Sequence, residues 1–204
     1  MARINQIEGS DIERLNHMQF PQLLAVLLYN EARQREITKH GIHVPTKINV
    51  ADGGEDGRWD APLAPVSVEI PNAFTIYQIK ADDVAPAEWA EEVVTTIKPK
   101  KAKTRQKPKA KAIKTVKPAV AEAFKRKGCY CVFCSERYNT QQINSRVKKI
   151  QAAIGKVDPK YKKLPIQFLD ADKIATWVNR HTAAVAFVAN ALSKASHPAM
   201  RDWR

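Results

Sequence analysis

Asp56, Gln78 and Lys80 are the residues of this 204-residue chain whose types and spacing could do chemistry together. Gln78 and Lys80 stand two apart in the run FTIYQIKA, and on a strand residues two apart project from the same face. An amide and an ammonium on one face of an interior strand cost on the order of several kcal/mol unless partners await them. Asp56 lies in the turn DGGEDG, where glycines let the backbone bend sharply and bring a carboxylate to the end of a neighbouring strand. Glu31 is a second acid of interest. The apolar residues Phe20, Leu24, Leu27 and Leu28 recur at helical spacing, and the next position on that stripe is Glu31. It either reaches solvent from the stripe's edge or serves the same site. An acid, an amide oxygen, a nearby backbone carbonyl and water are hard oxygen ligands that suit Mg²⁺. Such a metal polarises a phosphate and lowers the pKa of a bound water, while a lysine positions that water or balances charge. The chemistry these residues imply is hydrolysis of a phosphodiester bond.

The charge pattern points to the same kind of partner. The formal net charge is +13 at pH 7, and such an excess favours a polyanion. Most of it falls on Lys98, Lys100, Lys101, Lys103, Arg105, Lys107, Lys109, Lys111, Lys114 and Lys117, a run without a single acid. Pro99, Pro108 and Pro118 break any long helix there, so residues 98–117 read as a flexible, solvated insertion able to track a DNA backbone. No window has the apolar length of a membrane span, and the N-terminus lacks the apolar run of a secretory signal, so a cytoplasmic protein is expected. All three cysteines lie in CYCVFC. Without a second Cys pair they read as core residues of a buried strand, not as a metal cluster. The histidines form no spaced metal pair either, and Trp59 beside the acidic turn reads as packing more readily than as a substrate contact.

Positioning these residues requires both strands and helices. Ser10 and Glu13 match a capping box for a short first helix, and residues 21–37 read as a longer one closed by Gly41. Strands are expected over residues 42–50, 56–59, 66–70 and 74–81, with Pro-rich turns between them, which implies an antiparallel meander. Residues 86–97 read as a helix with Trp89, Val93 and Ile97 inward and Glu88, Glu91 and Glu92 outward. Then come a helix over 118–126, a strand over 129–134, a helix over 140–154, a strand over 166–169 and a long helix over 171–192 capped by Asp170. Strand and helix alternating in this half imply parallel strands. The fold class is therefore α/β, a single domain over residues 1–204 with a mixed central sheet flanked by helices. HPAMRDWR carries no obvious stop signal, and more chain is expected to follow it.

Asp56 in DGGEDG, Gln78-Ile79-Lys80 ending a strand and Glu31 on the preceding helix together resemble the PD-(D/E)XK nuclease superfamily. The sequence is most similar to its Mrr-like restriction endonuclease branch, where glutamine replaces the acid of the second motif. The order of elements from Pro21 to Leu192 follows that family's core, and LDADKIATWVN resembles the tail of nuclease domains attached to antiphage ATPases. The resemblance implies a restriction-endonuclease-like three-layer sandwich and a metal-dependent DNA endonuclease, the effector of a prokaryotic antiphage defence system. It makes Asp56, Gln78 and the Ile79 carbonyl the protein ligands of Mg²⁺, with Mn²⁺ able to substitute. Lys80 becomes the catalytic lysine and Glu31 an auxiliary acid. DNA, a homodimer or higher oligomer, and a fused or partner ATPase or sensor domain are the implied partners. The proline of the namesake motif is missing ahead of Asp56. Glu69 is a competing acid, although Pro71 stands where the motif needs lysine. A non-catalytic nucleic-acid-binding module on the same fold, and an assembly domain whose basic tract meets an acidic protein, are the alternatives.

Overall fold

A computed structural model describes residues 6–45, 55–61, 66–97 and 113–196. The chain enters through a short helix, α1 (Gly9–Glu13), and a longer one, α2 (Gln19–Gln34). Strands β1 (Ile42–His43), β2 (Gly57–Asp60) and β3 (Phe74–Lys80) follow and pair antiparallel in sequence order. Next come α3 (Trp89–Val93), β4 (Val94–Ile97), β5 (Ile113–Val116) and α4 (Pro118–Lys125). The second half consists of β6 (Cys129–Cys134), α5 (Thr140–Val157), β7 (Ile166–Leu169), α6 (Ala171–Val178) and α7 (Thr182–Ser196). β6 lies parallel to β3 and β7 parallel to β6, giving a mixed sheet of order β1-β2-β3-β6-β7. β4 and β5 form a separate two-stranded arm.

Side-chain alternation along β3 and β6 sorts the helices onto two faces. Tyr77, Ile79, Cys131 and Phe133 face α1, α2, α6 and α7. Phe74, Ile76, Tyr130, Val132 and Cys134 face α3, α4 and α5. Covered on both sides, β6 is buried throughout, as an apolar run with no polar alternation requires. Phe133 stacks on Phe20 of α2 with ring centroids 4.7 Å apart and meets Trp177 of α6 edge-on. Full burial of each such side chain contributes roughly 1.5–3 kcal/mol. The protein is thus an α/β fold with a mixed central sheet flanked by helices.

Several expected features differ, beginning with α1, whose capping box is Glu8 with Asp11 and not Ser10 with Glu13. Residues 86–97 are not one helix: α3 stops at Val93 and the chain turns extended as β4. The run Val93-Val94-Thr95-Thr96-Ile97 is β-branched throughout, which disfavours helix and suits a strand. Residues 113–116, expected within a flexible insertion, are β5, with Val94 opposite Val116 and Ile97 opposite Ile113. Residues 66–70 form no strand. Ser67 closes a local turn there, its N–H donating to the Ile70 carbonyl and its Oγ accepting from the Ile70 N–H, both at 3.0 Å. The expected helix over 171–192 is broken between α6 and α7, where Asn179 pairs with both backbone groups of Ile7. Gly41 does not cap α2. Glu36 takes the left-handed position (φ 54°) and Ile37 donates to the Ala32 carbonyl. What Gly41 provides is room, since a Cβ there would collide with the Asp60 carbonyl where β1 meets β2.

Candidate active site

The pairing of β2 with β3 runs one residue past Gly57, because the Asp56 N–H donates to the Tyr77 carbonyl at 3.0 Å. Gly57, the next residue, packs closely under α2. A Cβ on it would stand 2.9 Å from Leu24 Cδ2 of α2, so a side chain there would push the Leu24 methyl aside. Asp56 is fixed beside the end of β3. Its Oδ2 accepts from the Gln78 side-chain amide and, at 2.7 Å, from the Ile79 N–H. On a strand the N–H and C=O of one residue point to the same side, so the Ile79 carbonyl is directed toward β2 and Asp56 as well.

Gln78 is buried in mid-strand and needs partners for both ends of its amide. Asp56 takes the nitrogen, and the Tyr130 hydroxyl on the adjacent β6 donates to Oε1 at 3.2 Å. Tyr130 was not anticipated as part of this cluster. Alternation in CYCVFC places it on the Gln78 face, and a buried tyrosine hydroxyl usually finds a partner, so the signal was there to read.

Lys80 ends β3 on the same face as Gln78. Its Nζ lies 2.8 Å from Glu92 Oε1 of α3, and the other oxygen of Glu92 lies 3.7 Å from Lys117 Nζ. All three side chains are about a quarter exposed, so a ligand can reach them. Glu92 was read as facing outward with Glu88 and Glu91. In fact it flanks the buried Trp89 and Val93 and turns toward the sheet. The neighbouring acid Glu55 is engaged elsewhere, 2.6 Å from Arg58, which also reaches Glu122 of α4 at 3.4 Å. The hydrogen bond to Glu55 outweighs burial and holds the Arg58 guanidinium above its ordinary pKa.

Glu31 does not join this cluster. It lies on α2, in the layer that packs on Tyr77 and Ile79, across the sheet from Gln78 and Lys80. There Trp177 Nε1 donates to its Oε1 at 2.9 Å, His181 Nε2 lies 3.0 Å from the same oxygen, and Arg35 pairs with Oε2 at 2.7 Å. The auxiliary-acid role expected of Glu31 is replaced by a structural one, tying α2 to α6 and to the start of α7. Glu69 is also remote from Asp56. It is buried, with Oε1 2.6 Å from Arg180, and its backbone carbonyl accepts from the Tyr77 hydroxyl. Trp59 is fully buried and is a packing residue. Lys98, Lys100, Lys101, Lys103, Arg105, Lys107, Lys109 and Lys111 lie outside the described residues.

Among the described residues no three His, Cys, Asp or Glu side chains gather to hold a metal. The oxygen donors available at Asp56 are one carboxylate, one carboxamide and one backbone carbonyl, a hard set that fits Mg²⁺ completed by water. To present oxygen, the Gln78 amide must turn over. Tyr130 serves either orientation, since its hydroxyl can donate to Oε1 or accept from Nε2. The cysteines take no part. Burial pushes the Cys129 thiol up to about 12 and Cys134 up to about 11, so both stay protonated and inert. No helix among the described residues is long and apolar enough to cross a membrane. No protein-family model, curated protein or solved structure matches the chain.

Proposed function

We propose that the protein is a metal-dependent DNA endonuclease on a restriction-endonuclease-like fold, of the Mrr-like, glutamine-containing kind, acting as the effector nuclease of an antiphage defence system in the cytoplasm. The observation that carries this reading is the convergence on one carboxylate oxygen. Asp56 meets Gln78 and Ile79, which are more than twenty positions away in sequence, at the end of the strand that also presents Lys80. An antiparallel meander followed by a parallel strand agrees with the proposed core.

Asp56, the Gln78 oxygen and the Ile79 carbonyl would hold Mg²⁺ or Mn²⁺. When bound, such a cation supplies Lewis acidity and lowers the pKa of a bound water. Lys80 contributes a positive charge beside the phosphate, and Glu92 fixes its position. Lys117, on the far side of Glu92, adds a second cation at the same edge. Because cutting both strands of a duplex needs two such sites, the active form is a homodimer or higher oligomer.

A nucleic-acid-binding module without activity is the second reading. Two observations favour it: the Gln78 nitrogen, not its oxygen, faces Asp56, and Lys80 is already paired with Glu92. Incubation of supercoiled plasmid with the protein separates the two. Nicked and linear products with Mg²⁺, and none with EDTA, are the outcome expected of the nuclease. Retention of DNA with no cleavage under Mg²⁺ or Mn²⁺ would establish the binding module instead.

A further inference from the structure

The arm formed by β4 and β5 and the helix α5 enclose a groove of about 620 Å³ on the same side of the sheet as Lys80. Its walls carry Lys114 from the arm, Lys117 just after it, and Lys149 and Lys156 from α5, against one carboxylate, Glu91. Lys149 and Lys156 are seven residues apart, two helical turns or about 10 Å along the axis, so they share a face of α5. The floor between the walls is small and uncharged, with Ala90 and Ala153 at its base. Among the described residues Lys114, Lys149 and Lys156 form no ion pair, in contrast to Lys80 and Lys117. The groove adjoins the candidate active site, because Lys117 lines it and is linked through Glu92 to Lys80.

We propose that this groove seats the sugar-phosphate backbone of DNA, holding the stretch of strand that leads away from Lys80. The occupant follows from the charge. Four ammonium groups on two facing walls, one of them shared with Glu92, against a single lining carboxylate, complement a polyanion that runs along the groove. Lysines bind as point charges and carry no forked geometry for reading bases, so the contact is independent of sequence. The proposal rests on the nuclease reading for the identity of the polyanion and for the direction in which the strand runs. It does not use residues 98–112, the lysine-rich stretch that joins β4 to β5 in sequence.

The test is binding of a short fluorescein-labelled DNA duplex by the full chain in EDTA, measured by anisotropy over a series of salt concentrations. Each phosphate neutralised contributes roughly 0.9 to the slope of log affinity against log salt. The double variant Lys149→Ala and Lys156→Ala, at two exposed helical positions, is expected to flatten that slope by about 1.8. Lys114→Ala on the facing wall is expected to remove about half as much. Arg14→Ala with Arg33→Ala, which removes two charges from the opposite layer, leaves the slope unchanged. A wild-type slope in both groove variants, in protein that binds DNA and cleaves plasmid with Mg²⁺, overturns the groove and leaves the nuclease standing. Absence of DNA binding by the wild type at low salt overturns both.

Discussion

Lys80 and Glu92 are joined by a 2.8 Å ion pair that ties the last residue of β3 to the helix from which the β4–β5 arm springs. Outside a site, a pair this exposed is worth no more than about 1 kcal/mol. Its importance is positional, because Glu92 fixes where the Lys80 charge stands. Glu92→Gln is expected to slow plasmid cleavage by roughly tenfold, the effect of removing a group that orients a functional one. Its melting temperature should stay near that of the wild type. Unchanged cleavage would show that Lys80 holds its position without Glu92.

Tyr130 donates its hydroxyl to the Gln78 side-chain oxygen. Tyr130→Phe leaves the Gln78 oxygen without its donor in a buried place, and should lower stability by about 1–3 kcal/mol in denaturant unfolding. If Gln78 also presents its oxygen to a cation, the same variant should need about ten times more Mg²⁺ for half-maximal cleavage. A stability loss with unchanged metal dependence would confine Tyr130 to packing.

Acid should weaken the protein through Glu31. Burial pushes this carboxyl up, but the hydrogen bond from Trp177, the Arg35 charge and the contact with His181 together outweigh it and hold the group below its ordinary value of 4.5. A carboxyl with a depressed folded-state pKa stabilises the fold fully above its unfolded value. That contribution is lost as pH falls through the folded value. Glu31→Gln should therefore unfold with about 1–3 kcal/mol less stability near neutral pH. The gap from wild type should close as pH drops below 4.5. A gap that stays constant with pH would mean that the charge of Glu31 contributes nothing.

The thiols should be silent. With Cys129 pushed up to about 12 and Cys134 to about 11 by burial, and Cys131 raised well above its ordinary value, almost no thiolate exists at pH 8. A disulfide-exchange reagent should titrate none of the three in native protein and all of them after denaturation. Rapid native reaction would mean that β6 opens.

Sequence patterns located what depends on neighbours along the chain. β6 and β7 match their expected bounds because β6 is an apolar run entered from Gly128 and β7 a short, largely apolar segment closed by the cap Asp170. The end of α3 was obscured because Trp89, Val93 and Ile97 satisfy helical spacing while the residues between Val93 and Ile97 are β-branched. For Glu31, the stripe left open whether the side chain reaches solvent or turns inward, and the structure buries it. The stripe could not report the partners, since Trp177 and His181 lie 146 and 150 residues away. The meeting of Asp56 with Gln78 followed from strand alternation and a glycine turn. The reach of Glu92 back to Lys80 did not, because it depends on how α3 docks against the sheet.

Asp56→Asn tests the central claim most directly. Asparagine keeps a side-chain oxygen for the Ile79 N–H, so the fold and the DNA-binding surface should survive while the negative charge offered to a metal is lost. Measured side by side with Mg²⁺, wild-type protein should convert supercoiled plasmid to nicked and linear forms, and the variant should bind the same DNA and leave it intact. Plasmid cleavage by Asp56→Asn at the wild-type rate would contradict the account.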